Sequence, residues 1–486
     1  MDILNPVPGA PASAEALFFD GTQRLQQGDL VGAEAALQAA LQLLPTLAEA
    51  HANLGLVLEL RHAWPEAADC YRQSIAHNPT LVDSYVNLAG VLILLRQLDE
   101  AEAACAMALR LRRDDPHIWC NLGVVYARMG LEVESEECCR EALLLEPGYP
   151  KARFNLAYLL LRQGRWEEGW AHFESRDWYA SMARLMHCPR WRGEPLAGQS
   201  ILVGYEAGHG DMLQFCRYVA ELKARGAIHV TLVCHPPLKR LFASLAGVDV
   251  LVGYDEDLPD TAWDCWTPLM SLPSLCQTRV DSVPAPLPYL HAEPALLAEW
   301  ARHPALAQVP VGHLRVGLVW KGSTSFENDA ERSLASLATL LPLAAVPGVS
   351  FISLQKGAGE DEAAQPPSGM AVHALGPQIR DFADTAAILA QLDLLISVDT
   401  GVAHLAGALA VPCWVMLPDY LTDWRWLAGR SDTPWYPGVM RLFRQPAGGG
   451  WAPVVDALAV ALHAFAAGAG DAGGAGNVGN AGLGQT

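Results

Sequence analysis

The 486-residue sequence predicts two architectures in one chain: an all-α solenoid over 14–183, then an α/β region of two similar lobes. Three observations predict this. One pattern of small, bulky and proline positions recurs every 34 residues up to about residue 183, a period that belongs to stacked helical hairpins. From Ser200 onward, short apolar runs alternate with helical periodicity and glycine-rich turns, the pattern of a parallel sheet covered by helices. A proline-rich break, Val283-Pro-Ala-Pro-Leu-Pro288, divides that second region and marks a linker.

Composition narrows the classes. Apolar residues make up 51% of the chain, enough for large cores, and the formal net charge is −20. Nucleic-acid binding is excluded as a general role, because phosphate neutralisation needs clustered Lys and Arg. The start, Met1-Asp2-Ile3-Leu4-Asn5-Pro6, lacks the basic and apolar segments of a secretory signal. No run of apolar residues reaches the ~18 needed to span a bilayer. The eleven cysteines are scattered without a CxxC pair, so reduced core thiols and a cytoplasmic location are expected.

Windows beginning at 14, 48, 82, 116 and 150 align the repeats without gaps. Their eighth position holds Gly21, Gly55, Ala89, Gly123 and Ala157, and their twentieth Ala33, Ala67, Ala101, Ser135 and Gly169. Small residues there let the two helices of a hairpin approach closely. The twenty-fourth position, Leu37, Tyr71, Cys105, Cys139 and Phe173, is expected to fill the groove between hairpins. Proline at the thirty-second (Pro45, Pro79, Pro147) stops the second helix. The pattern resembles the tetratricopeptide repeat, and Trp119-x-x-Leu122-Gly123-x-x-Tyr126 matches its signature. Arg113 departs from it in place of proline, and the fifth copy is weak, retaining Asn155-Leu156-Ala157 and Phe173. Such a solenoid is expected to bind a peptide or protein; a rigid spacer or a surface for homo-oligomers is the alternative. Asn53, Asn87, Asn121 and Asn155 recur on the first helices. They would hydrogen-bond an extended peptide backbone, or else bond within their own hairpins.

In the α/β region, Ser200–Glu206 reads as a buried strand, Ala207-Gly208-His209-Gly210-Asp211 as a tight loop and 212–225 as a helix. Strands are expected at His229–Cys234, Val248–Val252 and around Trp263–Trp266. After the linker, strands are expected at Arg315–Trp320, Val349–Leu354, Asp393–Val398 and Cys413–Leu417, with helices at Asp381–Leu392, 402–409 and 453–466. The expected domains are a tail over 1–13, the solenoid over 14–183, a first lobe over 190–285, a linker over 286–312, a second lobe over 313–466 and a disordered Gly/Ala-rich tail over 467–486. Two such lobes place a ligand cleft at the carboxyl ends of both sheets.

The strongest local signal is the strand–turn–helix Ser397-Val398-Asp399-Thr400-Gly401-Val402-Ala403-His404. Free N–H groups and the positive dipole end suit a diphosphate there, with Thr400 and Gly401 as donors and His404 one turn in. An ordinary capped helix explains the same residues. This segment resembles the nucleotide-sugar motif of ADP-heptose:lipopolysaccharide heptosyltransferases. Over about 190–465 the chain is similar to bacterial repeat-containing glycosyltransferases, through Gly210-Asp211-Met212-Leu213-Gln214-Phe215, Gly317-Leu318-Val319-Trp320-Lys321-Gly322, Ser353-Leu354-Gln355-Lys356-Gly357, Asp381-Phe382-Ala383-Asp384 and Asp423-Trp424-Arg425-Trp426. The architecture also resembles the O-linked N-acetylglucosamine transferases.

The resemblance implies a two-lobed, GT-B-type transferase holding its donor mainly in the second lobe. Asp211 takes the place of the proposed base, which accepts the proton of an attacking hydroxyl; a helix N-cap is its plain alternative. His209 is a rival base, because imidazole titrates near neutrality. Gly208 and Gly210 flank them on the donor side. Lys321 would neutralise the departing diphosphate, Gln355 would contact the donor, and Arg332 would be a second phosphate ligand. Asp423, Trp424, Arg425 and Trp426 would close over the cleft. No metal site is expected, and no cofactor beyond the nucleotide-sugar substrate. The expected activity is sugar transfer to a protein hydroxyl presented by the solenoid, with flagellin or another surface protein as acceptor by analogy. A glycan or lipopolysaccharide acceptor is one alternative; an inactive nucleotide-binding scaffold is the other.

Overall fold

The computed structural model describes residues 13–284, 287–326 and 328–472. Both expected tails lie largely outside these residues, but 467–472 continue the closing helix Ala452–Ala472 instead of ending it. Two compact units divide at Leu159 and Leu160, inside the fifth repeat.

The first unit is a stack of helical hairpins. Helices α1 (Ala14–Gln26), α3 (Ala48–Leu60), α5 (Val82–Leu94), α7 (Pro116–Arg128) and α9 (Pro150–Arg162) begin on the five window positions. Their partners α2 (Leu30–Leu43), α4 (Trp64–His77), α6 (Leu98–Leu111) and α8 (Glu132–Leu145) keep the same 34-residue step. α6 ends in register although Arg113 replaces the proline, so hairpin packing, not proline alone, sets the stop. The twenty-fourth residue packs on the eighth of its own hairpin and also reaches the next hairpin. A Cβ on Gly21 would lie 2.7 Å from Leu37 Cγ, and one on Gly55 would lie 2.7 Å from Tyr71 Cε1. The chain turns between the first and second helices through a left-handed residue at the fifteenth position: Gly28, His62, Arg96 and Gly130, with φ of 80°, 61°, 61° and 78°. Glycine is the natural occupant of such a position.

The asparagines bond to neighbouring hairpins and not within their own. Asn53 Nδ2 donates to Thr22 Oγ1 (2.9 Å), Asn121 Nδ2 to the Val86 carbonyl (3.2 Å) and Asn155 Nδ2 to Cys120 Sγ (3.4 Å). Each of these bonds joins successive first helices. Asn87 differs, pairing with Tyr71 of the preceding hairpin.

The second unit opens with α10 (Trp166–Phe173) and contains two sheets in which every pairing is parallel. The first comprises β1 (Ser200–Gly204), β2 (His229–Cys234), β3 (Val250–Gly253) and β4 (Cys265–Pro268) in the order β3-β2-β1-β4. The second comprises β5 (Leu314–Val319), β6 (Val349–Ser353), β7 (Val372–Ala374), β8 (Leu394–Val398), β9 (Cys413–Leu417) and β10 (Met440–Arg444) in the order β10-β9-β8-β5-β6-β7. The edge strands β7 and β10 are additions to the expected set. The first sheet packs Leu202, Val233 and Trp266 against Met182. The second buries Val316, Leu318, Leu394, Ile396 and Met416 against Leu458 and Leu462 of the closing helix. The segment expected as a linker carries the helix Pro294–Ala301, and its Trp300 Nε1 donates to Asp384 Oδ1 (3.1 Å).

Candidate active site

At the carboxyl end of β1 the chain passes Glu206, turns at Ala207 (φ 57°) and enters the helix His209–Phe215. At the carboxyl end of β8 it passes Asp399 and Thr400 and enters the helix Gly401–Ala408. These two helix starts, one from each sheet, meet through glycine. A Cβ on Gly401 would lie 3.5 Å from the Gly210 nitrogen, and one on Gly210 would lie 3.1 Å from His404 Cδ2. Two positive dipole ends therefore converge.

His209, Gly210 and Asp211 sit in a first helical turn, not in a loop. Asp211 Oδ2 accepts the Gly208 N–H (2.8 Å), so that N–H serves the capping box rather than a donor. Asp211 Oδ1 accepts a hydrogen bond from the Arg425 guanidinium, which also grips Asp423 through both carboxylate oxygens (2.9 and 2.8 Å). Asp399, largely buried, lies near this cluster. Burial, reinforced by the Asp423 carboxylate, raises its carboxyl to about 6 against the pull of Trp426, Arg332 and Arg425.

His404 stacks on Trp426 (5.2 Å between centroids, 14° between planes) and shares a hydrogen bond with the Tyr436 hydroxyl (3.0 Å). Burial and then the Arg425, Arg217 and Arg332 guanidiniums hold it well below the usual imidazole range. It is a neutral group here, able to donate a hydrogen bond but not a positive charge. His209 also departs from expectation. Burial, with the His235 ring 4.7 Å away, lowers it to about 4, so it does not titrate near neutrality.

The remaining expected residues are engaged elsewhere. Lys321, just after β5, forms an ion pair with Glu362 (2.6 Å). Gln355 is buried, and both ends of its amide bond main chain: Oε1 accepts the N–H groups of Trp320 and Lys321, and Nε2 donates to the carbonyls of Lys321 and Ala358. It ties two strand ends together. Arg332 pairs with Asp329 in the short helix Asp329–Arg332 (3.2 Å), not in a bare loop. Among the described residues no group of three or more His, Cys, Asp or Glu side chains is arranged to hold a metal ion, and no helix is long and apolar enough to cross a membrane.

Sequence reasoning did not assign Arg425 as the partner of Asp211. It also gave no role to Arg217, which donates to the carbonyls of Gln214 (2.8 Å) and Trp435 (2.7 Å) and to the Tyr289 hydroxyl (2.9 Å). The sequence signal for both was an arginine among aromatic residues, Trp424-Arg425-Trp426 and Phe215-Cys216-Arg217-Tyr218. A second buried pair, Arg176 with Glu206 (2.6 Å), fixes the chain just beyond β1.

A helical-repeat solenoid joined to a parallel α/β unit defines the class of the chain. Models of the tetratricopeptide repeat match residues 21–80, 53–116, 116–149 and 138–171. The chain thus contains tetratricopeptide repeats over 21–171, and it is related to Protein FlbA of Caulobacter vibrioides. The two are 29% identical over 389 residues, covering 74% of this chain and 63% of FlbA. That coverage is more than the repeats alone account for, so the likeness extends into the α/β unit; the chain spans about 63% of the length of that curated relative. Solved structures similar to this chain include the tetratricopeptide-repeat protein TTC0263 of Thermus thermophilus, at 24% identity, covering 36% of this chain and 100% of that one with a TM-score of 0.30. PilF of Pseudomonas aeruginosa is 21% identical, covering 44% of this chain and 87% of that one with a TM-score of 0.33.

Proposed function

We propose that this chain is a glycosyltransferase of the two-lobed GT-B type that moves a sugar from a nucleotide-sugar donor to a protein hydroxyl recruited by the repeats. The observation that carries the proposal is the meeting of two helix starts at Gly210 and Gly401, with a carboxylate, Asp211, in one first turn and a neutral imidazole, His404, in the other. Backbone N–H groups at Thr400 and Gly401 would donate to a diphosphate, in the dipole field that favours an anion.

In the proposed reaction the acceptor oxygen attacks the anomeric carbon and gives its proton to Asp211. The bond from that carbon to the diphosphate oxygen breaks, and the electron pair leaves with the diphosphate. Helix N–H groups and the neutral His404 N–H stabilise the departing charge. Lys321 takes part only after exchanging Glu362 for phosphate. The acceptor class rests on analogy with repeat-bearing transferases. The grip of Arg425 on Asp211 favours a second reading, a nucleotide-binding scaffold without turnover.

Melting curves with a panel of nucleotide sugars test the proposal. One donor at 100 times its Kd is expected to add about 2.7 kcal/mol, and no shift with any donor would overturn it. A mass gain of one sugar on a co-expressed acceptor, lost with Asp211→Asn, separates the transferase from the scaffold.

A further inference from the structure

The loop that carries Arg425 rests on the last repeat. Trp424 is fully buried. Its ring meets Trp170 edge-on at 5.3 Å and Phe173 at 5.9 Å, both on α10. On its other contacts it lies 6.4 Å from Phe215, at 19° between planes, in the helix that carries Asp211. The Arg425 guanidinium sits 4.7 Å over the Trp424 ring. Trp166, at the start of α10, stacks on Trp435 at 4.9 Å.

Main-chain bonds reinforce the aromatic contacts. The Ala428 N–H donates to the Arg162 carbonyl at the end of α9 (2.9 Å), and Trp170 Nε1 donates to the Thr278 carbonyl (2.9 Å). Leu427 is held at φ 53°, ψ 159°, a conformation costly for a side-chain-bearing residue. Arg444 donates to the carbonyls of Trp426 and Leu427 (both 2.7 Å) and keeps the loop there. A long guanidinium side chain has many rotamers in the absence of such walls; here a ring below and two carboxylates beside it select one.

We propose that α10, the second helix of the fifth repeat, is a positioning element of the α/β site: through Trp424 it sets the Arg425 guanidinium between Asp211 and Asp423. This rests on reading Asp211 as the group that takes the acceptor proton, and Arg425 then sets when that carboxylate is free. The second helix of the fifth repeat accordingly supports the α/β site as well as its own hairpin.

Urea unfolding of the full chain, followed by near-UV circular dichroism, tests the proposal as a double-mutant cycle. Residues that act independently give additive shifts, and coupled ones do not. The shift in midpoint caused by Asp211→Asn is expected to fall by at least half in a Trp170→Leu background. It is expected to stay near its wild-type size in a Leu458→Ala background, which loosens the other sheet's core. Should Trp170→Leu not fold, Trp170→Met, which also removes the ring that meets Trp424 but fills an irregular gap more readily, carries the same comparison. An unchanged Asp211→Asn shift in the folded Trp170 variant would overturn the positioning role. Titration calorimetry with inorganic pyrophosphate is read separately. Binding to the wild type that weakens about tenfold in the Trp170 variant supports positioning and anion site together. Coupling without any pyrophosphate binding supports positioning and removes the diphosphate reading.

Discussion

His209 and Asp399 titrate in opposite senses. Burial and His235 lower the imidazole to about 4, while burial and Asp423 raise the carboxyl to about 6. A depressed histidine contributes stability that is present above its unfolded value, near 6.5, and is lost as pH falls toward 4. A raised carboxyl works the other way: protonation below 6 relieves its burial, and stability from it declines as pH rises from 4 to 6. His209→Asn should therefore remove about 1 kcal/mol of the stability difference between pH 7 and pH 5, solvent screening of the half-buried ring included. Urea midpoints of variant and wild type at both pH values measure it, and an unchanged acid limb would show that His209 takes up its proton as readily in the folded chain as in the unfolded one. Little of this was legible in the sequence. Asp399 and His404 were singled out by strand–turn–helix chemistry and Asp211 by the family resemblance, and the structure gathers them. Their charge states depend on groups distant in the chain: Arg425 lies 214 residues from Asp211, and Glu362 lies 41 from Lys321. No spacing rule reaches across such gaps.

Elements were the most legible scale. Every first helix of the solenoid begins on the position read from the 34-residue step, because the small-against-bulky contacts that define the step are local to one hairpin. The central strands β1, β2, β5, β8 and β9 were readable from their apolar runs, as strands buried on both faces are. β7 has three residues, all half-buried, and β10 alternates arginine with apolar residues as Met-Arg-Leu-Phe-Arg; neither makes a continuous run. The left-handed fifteenth position also went unread, since glycine occupies only part of it. His62 adopts φ 61° there, which costs a side-chain-bearing residue roughly 1 kcal/mol. His62→Gly should stabilise the solenoid by about 0.5–1 kcal/mol, less the flexibility glycine adds to the unfolded chain. Thermal unfolding of the full chain with the single substitution measures this, and a lower melting temperature would count against the turn as the source of strain.

At the scale of the whole molecule, charge is the dominant field. The chain carries a formal −20, so an anionic donor approaches against repulsion. Raising salt from about 20 to about 200 mM shortens the reach of that field from about 20 Å to about 7 Å. The association rate constant of a nucleotide diphosphate is expected to rise severalfold over that range, the reverse of a protein steered by basic residues. Stopped-flow fluorescence, with the buried tryptophans beside the site as reporters, measures it. A rate that falls with salt would place a local cationic funnel above the net charge.

The repeats keep step without insertion or deletion, and the second helix of the last one packs on Trp424. A whole 34-residue module is therefore the unit by which the array upstream of residue 150 can change length without losing its own step. A substitution in the second helix of the terminal module answers to the residues around Trp424 as well as to its own hairpin.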